Sequence, residues 1–474
     1  MLTKKNVVPF FLSLFLLFFG RIIPGGALSA DAMHMLGIFA GAVVLWLFVG
    51  IDWPSVLVLI ALCLLPQAGT NAVVAASFGN STVSFLLFSF ILTYALETTG
   101  FLRRCALWFI SGSVAKKSPW HFLFLFLTAV MCIGSFIAPT LTFLLFYALI
   151  NQLTAMLQLK KGSALGTAMM AGTAIVTSIA CGMTPIAHTF PLMALGYYEA
   201  EYGASISFIE YLKIGLPAGL VLFAATFMVL RIALRRSFAA EKVDLGLLKL
   251  PKQGAVGREE GFALTVFVFV VLAWLLTGLF PKQLASIAKY GTTMPAMLGV
   301  VVLCAVPIRS KAVLSIKEGI TKGVSWPSIL ICAAALAIGK FVTAEELGIT
   351  AAIGNALTPI LGSMNVPGAL MVIIAVTVIM TNFMSNIVTT TAMYSIVSGV
   401  LVVINVGSMV IDPKLTTILI GMCASFAYAT PPAIAHIAIA AASDWATPRD
   451  MLKYGGIVAI VTILVTWLSA LPFA

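Results

Sequence analysis

Ser385 and Asn386 lie side by side in "MTNFMSNIVTTTAM", residues 380–393, a polar patch inside an otherwise apolar stretch. Either residue can cap a helix that begins near Ile387, because its side chain accepts from the unpaired amides of the first turn. The positive end of that helix then aims at the same spot, an arrangement that holds an anion without lysine or arginine. "GMTPIAH" and "YATPPAIAH" supply a matching pair of breaks at Thr184-Pro185 and Thr430-Pro431. Threonine brings a hydroxyl, and proline withholds a ladder donor while suiting a helix start. Thr140 follows Pro139 in "SFIAPTLTF" and completes a set of four helix N-termini that can converge on one ligand. Carbonyls freed at the breaks, as around Ala429, can hold a cation such as sodium.

His188 and His436, two of the four histidines, stand just after the Thr-Pro breaks. An ionisable group inside a membrane is a functional candidate by default. Imidazole here can carry a proton or a positive charge, or can join two helices as a neutral hydrogen-bonding group, and both readings stay open. Glu97 and Asp444 are the acids set deepest in apolar sequence and read as interfacial or packing groups. Neither an H-E-x-x-H helix nor a G-x-S-x-G elbow occurs, so an enzyme is not expected. A channel is the nearer rival, but it calls for rings of charge or a filter sequence.

Composition says what kind of element must hold these residues. Of 474 residues, 61% are hydrophobic and 9% charged, with a mean hydropathy of +1.11; a soluble domain carries roughly 25% charge. The chain reads as an all-α polytopic membrane protein, with apolar runs for about eleven transmembrane helices. Its first apolar run, 6–23, reads as a retained helix rather than a signal peptide. The net charge of +11 reflects basic pairs beside membrane spans (Lys4/Lys5, Arg103/Arg104, Lys116/Lys117, Lys160/Lys161, Arg235/Arg236). Positive-inside topology explains them, puts the N-terminus in the cytoplasm and leaves no reason to invoke nucleic acid. Seven scattered cysteines imply neither a zinc site nor a disulfide framework, and no cofactor is expected.

The chain also repeats itself. "ALETTGF" around Gly100 matches "AEELGIT" around Gly348, "SFIAPTLTF" around Thr140 matches "MSNIVTTT" around Ile387, and Thr184 matches Thr430, at offsets of 248, 247 and 246. Lysine pairs flank 118–159 on both sides, whereas its counterpart near 365–410 has only Lys414, so the copies read as inverted. Inverted repeats with interrupted helices at the midplane are the architecture of secondary transporters. The resulting division is 1–110 as the opening helices of repeat 1, 111–235 as its remainder (re-entrant hairpin 118–159, broken helix 163–195) and 236–261 a cytoplasmic linker. Repeat 2 follows as opening helices 262–361 and remainder 362–474 (re-entrant hairpin 367–406, broken helix 415–443, last helix 454–473).

"LLFSFILTYALETTGFLRRCALWFI", the "MTNFMSNIVTTTAM" tip and "YATPPAIAHIA" together resemble the divalent anion/sodium symporter family, from about residue 82 to the end. The resemblance implies eleven transmembrane helices, two re-entrant hairpins, a homodimer, and an elevator in which the transport-domain parts 111–235 and 362–474 move against the scaffold helices 1–110 and 262–361. It implies substrates among the C4/C5 dicarboxylates (succinate, malate, fumarate, 2-oxoglutarate) or citrate, carried across the bacterial cytoplasmic membrane. The family's Ser-Asn-Thr triplet at each tip binds substrate carboxylates and takes part in two sodium sites. Here the second triplet reads Ser385-Asn386-Ile387, with Thr381 one turn before it, and the first reads Ala138-Pro139-Thr140. Alanine and proline remove two side-chain oxygen donors, which leaves sodium to at most one site. That loss tilts the expectation toward a sodium-independent dicarboxylate exchanger with helix dipoles or His188 and His436 compensating charge; the alternative is a sodium-coupled symporter.

Overall fold

The computed structural model describes residues 6–26, 28–186, 188–241, 243–250, 254–361, 364–404 and 410–474. In hydrocarbon every backbone N–H and C=O must find a partner within the chain, and a helix achieves this residue by residue. Apart from a two-residue ladder pairing Pro307–Ile308 with Lys311–Ala312, the described segments are helices and their connections. Eight of these helices are long and apolar enough to cross a membrane, or nine if one pair bent by 76° counts as a span. Five further apolar helices have 10–17 residues, including one arm of each hairpin, so helix length gives a lower count than the eleven expected from apolar runs.

The first half begins with α1 (Val7–Phe19), α2 (Ala30–Phe48), α3 (Trp53–Cys63), α4 (Gly69–Ala76), α5 (Ser81–Thr98) and α6 (Phe101–Ser111). A hairpin of α7 (Pro119–Gly134) and α8 (Pro139–Met156) follows, then α9 (Ala164–Met183), α10 (Thr189–Tyr202) and the 33-residue α11 (Phe208–Ala240). The second half opens with α12 (Arg258–Leu279), α13 (Ala285–Ala288), α14 (Thr293–Ala305), α15 (Ile316–Glu318), α16 (Trp326–Val342) and α17 (Ile349–Leu361). It continues through the hairpin α18 (Val366–Phe383) and α19 (Asn386–Ile404), then α20 (Pro413–Ser425), α21 (Ala435–Ala441), α22 (Pro448–Asp450) and α23 (Gly456–Ala470). Hairpin, interrupted helix and final long helix thus occur twice in the same order. Gly100 (φ +80°) and Gly348 (φ +64°) turn the chain into α6 and α17 at equivalent places, a left-handed conformation that glycine adopts without Cβ strain.

The two halves interlock. Every residue of α9 is buried, as are Leu415–Ser425 of α20, and these helices of small side chains pack against each other. The first hairpin packs on α9, the second on α20, and α10 crosses over to pack on α20 as well. Short side chains let backbones approach closely where no hydrophobic driving force separates helix from lipid.

Several boundaries differ from the sequence reading. Helix enters both ends of the stretch read as a linker, since α11 runs to Ala240 and α12 starts at Arg258. Buried Glu260 anchors that second end: it accepts from the Gly257 amide (3.2 Å) and pairs with Arg104 of α6 (2.5 Å), which also donates to the Gly254 carbonyl (2.6 Å). The first interrupted helix continues to Tyr202. The second starts at Pro413, where the Asp412 carboxylate caps the Lys414 amide (2.8 Å). The last helix is entered through a π-helical turn, Met451–Gly455. Residues 405 and 406, read as the end of the second hairpin, lie outside the described residues, as do Lys4 and Lys5.

Candidate functional site between the two hairpin tips

A cavity of about 470 Å³ brings the two tips together. Ala138, Pro139, Thr140 and Leu141 line it from the first tip, and Ser385, Asn386 and Ile387 from the second. Thr189 and Phe190 at the start of α10 and Pro432–Ala435 of the second break complete that side. The remaining wall includes Trp46, Leu47 and Ile51 at the end of α2 and Lys322, Ser325 and Ser328 beside the start of α16. The first turns of α8, α10 and α19 therefore open onto one space, and their unpaired amides make it favourable to negative charge. Lys322 is the one charged side chain on the described lining.

The second tip is built around Asn382, which pairs nearly every polar group it can reach. Its Nδ2 donates to the Val378 carbonyl (2.8 Å) and to the Phe426 carbonyl (3.0 Å). Its Oδ1 accepts from the amides of Tyr428 (2.8 Å) and Ala429 (2.9 Å), and its own carbonyl accepts from Thr430 Oγ1. One side chain thus satisfies the backbone that the Phe426–Thr430 break leaves without a helical partner. Thr381, one residue earlier, shares its hydroxyl between the Ala424 carbonyl (2.5 Å) and Asn386 Oδ1 (3.0 Å). The second contact sets the rotamer of Asn386, whose Nδ2 is buried without a hydrogen-bond partner. Thr389 Oγ1, one turn into α19, is likewise buried and unpaired.

The first tip is held more sparingly. Thr184 Oγ1 donates to the Ser135 carbonyl (2.5 Å), and Thr142 Oγ1 to the Ile137 carbonyl (3.3 Å). His188 is fully buried, its ring set against the Gly134 and Ser135 backbone at the first tip. His436 is fully buried too, with Nε2 at 2.8 Å from Ser178 Oγ. Ser178 has one proton and gives it to the Ala427 carbonyl (2.7 Å). His436 is therefore the donor in its contact with Ser178, through Nε2–H.

Of the residues singled out in the sequence, Thr140, Ser385, Asn386 and Ile387 line the cavity. Thr184, Thr381 and Thr430 stand behind it and fasten tips to breaks; Pro185, Ala429 and Pro431 lie within the breaks, and Pro432 rather than Pro431 reaches the lining. The fourth expected N-terminus, that of α21, belongs to a helix of only 7 residues, too short for much of a dipole. Sequence reasoning missed Asn382 and Lys322. A lone asparagine ending the apolar run "MVIIAVTVIMTNF" was the available signal for the first. Nothing in the sequence near Lys322 indicates that it reaches this cavity.

The citrate transporter family matches residues 41–421, most of the chain. The chain belongs to this family of di- and tricarboxylate transporters. It is a transporter, not an enzyme. Among curated relatives, the sodium-dependent dicarboxylate transporter SdcS of Staphylococcus saprophyticus is 25% identical, covering 92% of this chain and 86% of the relative. The protein of the same name from Staphylococcus aureus is 24% identical, over 83% and 77%. An uncharacterized transporter of Methanocaldococcus jannaschii is 22% identical over 66% of each chain. Against this background the donor-rich, nearly uncharged cavity of the family member described here has the chemistry of an anion site. Its amide groups, hydroxyls and helix ends favour negative charge.

Proposed function

We propose that this protein is a secondary active transporter of C4/C5 dicarboxylates such as succinate, malate, fumarate and 2-oxoglutarate, with the substrate between the two tips. The observation that carries the reading is the unpaired Nδ2 of Asn386, buried on the cavity wall at the first turn of α19. A buried donor without a partner costs about 1–3 kcal/mol, and a substrate carboxylate removes that cost. Thr140, Ser385 and the α8 and α10 amides offer further donors from other directions.

Sodium coupling through the second tip is the favoured mode. Thr381 Oγ1 lies 3.0 Å from Asn386 Oδ1 and 2.5 Å from the Ala424 carbonyl, a cluster of three oxygens, and two relatives are described as sodium-dependent dicarboxylate transporters. Exchange of one dicarboxylate for another is the second reading, favoured by Ala138-Pro139, which bring no side-chain oxygen to the first tip. On either reading the interlocked hairpins and broken helices move as an elevator against a scaffold of α1–α6 and α12–α17, in a homodimer with its N-terminus in the cytoplasm of a bacterial cell. The hairpins are re-entrant, because their polar tips belong where a watery cavity solvates irregular backbone.

Proteoliposomes separate the modes. Sodium-driven uptake of succinate into empty vesicles supports symport; uptake that needs internal dicarboxylate and ignores sodium establishes exchange. Absence of uptake for the dicarboxylates, with or without uptake of citrate, sinks the substrate assignment.

A further inference from the structure

Lys322 sits at the end of the π-helical turn Gly319–Gly323, where the chain bends by 76° into α16. The bend matters because it separates Lys322 from the α16 helix and puts it, Gly323, Val324, Ser325 and Ser328 on the cavity lining that the two tips share. Its ammonium pairs with Glu318 one turn earlier (2.7 Å), with both side chains largely exposed. An exposed pair of this kind contributes little to stability and is screened by salt, so the lysine can leave its partner at small cost. The described wall around it holds no other charge, while the tips offer only neutral donors. Ser325 and Ser328 hydroxyls, 2.8 Å apart, line the same wall.

Resting on the dicarboxylate reading above, we propose that Lys322 is a specificity-determining residue. It exchanges Glu318 for the carboxylate of a bound dianion that the tips leave free, and so selects dianions over monoanions. The tips then supply affinity for one carboxylate, and the bent helix supplies the charge that recognises a second. Glu318 competes for the same ammonium and limits how tightly the anion is held, which keeps release fast.

Initial uptake rates of succinate and of a monocarboxylate of equal length, butyrate, in proteoliposomes at two ionic strengths test this. Lys322→Gln is expected to raise KM for succinate about three- to tenfold with kcat within about twofold, to leave butyrate unchanged and to flatten the salt dependence. Lys322→Arg should retain succinate KM, and Glu318→Gln should lower it by freeing the lysine. Wild-type succinate transport with an unchanged KM in both Lys322→Gln and Glu318→Gln overturns the role of Lys322 and leaves the dicarboxylate reading standing. A wild-type protein that transports citrate or no carboxylate at all, and no succinate, overturns both.

Discussion

Thr184 donates its hydroxyl proton to the carbonyl of Ser135, and Thr430 does the same to the carbonyl of Asn382. The donors lie 246 residues apart and the acceptors 247, the displacement that relates the two copies of the chain. Each bond ties the last turn before a hairpin tip to the neighbouring broken helix, so tip and break are fastened as one unit in both repeats. Replacing either threonine by valine keeps its shape and removes the tether. Each variant is expected to lose about 1 kcal/mol of stability, additively in the double variant because the bonds share no partner. Thermal unfolding in detergent checks this, and strong coupling between the two changes would count against separate tethers.

Asn382→Ala should be far more damaging than either threonine change. It leaves the Tyr428 and Ala429 amides and the Phe426 carbonyl inside the protein without their partner, at about 1–3 kcal/mol for each unsatisfied group. Transport is expected to fall to background and the unfolding temperature to drop markedly. A variant with wild-type stability would show that the break organises itself without Asn382.

Asn386 calls for the opposite pattern, loss of binding with the fold intact. Asn386→Ala should weaken succinate binding by at least about tenfold, equivalent to 1.4 kcal/mol, with little change in unfolding temperature in the absence of ligand. Asn386→Asp keeps an oxygen for Thr381 but turns the unpaired amide donor of a lining residue into an anion. It should bind less well than alanine, because like charges repel across a short distance. Succinate-dependent thermal stabilisation measures both; equal binding by wild type and Asn386→Asp would remove the residue from the substrate site.

His436 is tied to Ser178 behind the cavity, donating through Nε2–H. A glutamine amide can make the same donation. His436→Gln should therefore retain transport, and its rate between pH 6 and 8 should parallel that of the wild type. A pH dependence abolished by this substitution would mark His436 as a proton carrier instead.

Glu201 joins the first broken helix to the second hairpin, accepting from Tyr394 (2.8 Å) and Ser398 (2.5 Å), and Tyr197 pairs with Thr391 (2.8 Å) on the same pair of helices. It also lines a separate cavity of about 600 Å³ with Lys340, Glu345 and Glu346. Glu201→Gln loses a charge-assisted bond worth about 1.5–3 kcal/mol. Tyr394→Phe should show most of the same loss, and a double-mutant cycle on unfolding should return coupling between them. Independent effects would mean that the carboxylate serves the second cavity rather than the joint.

The sequence by itself determined the class of molecule, the duplication and much of the second tip. Hydrophobic runs form helices in lipid, and a polar residue at a helix start can cap it wherever it falls, so these properties are local and survive without a fold. Thr-Pro alone does not decide a break, since Thr358-Pro359 lies inside α17. Only the tertiary structure decided which polar residues face the cavity and which stand behind it. Thr140 and Asn386 reach the lining, whereas Thr184, Thr430 and His436 spend their hydrogen-bonding capacity on backbone and neighbours. The same hydroxyl can hold a substrate or a carbonyl. Its partner is settled by how each hairpin packs against the neighbouring broken helix, which brings Thr184 to Ser135 and Thr430 to Asn382 across 49 and 48 residues of chain, a contact that no local pattern records. Lys322 illustrates the point most plainly: in sequence it is half of an ordinary i, i+4 ion pair, and the bend before α16 puts it on the cavity wall.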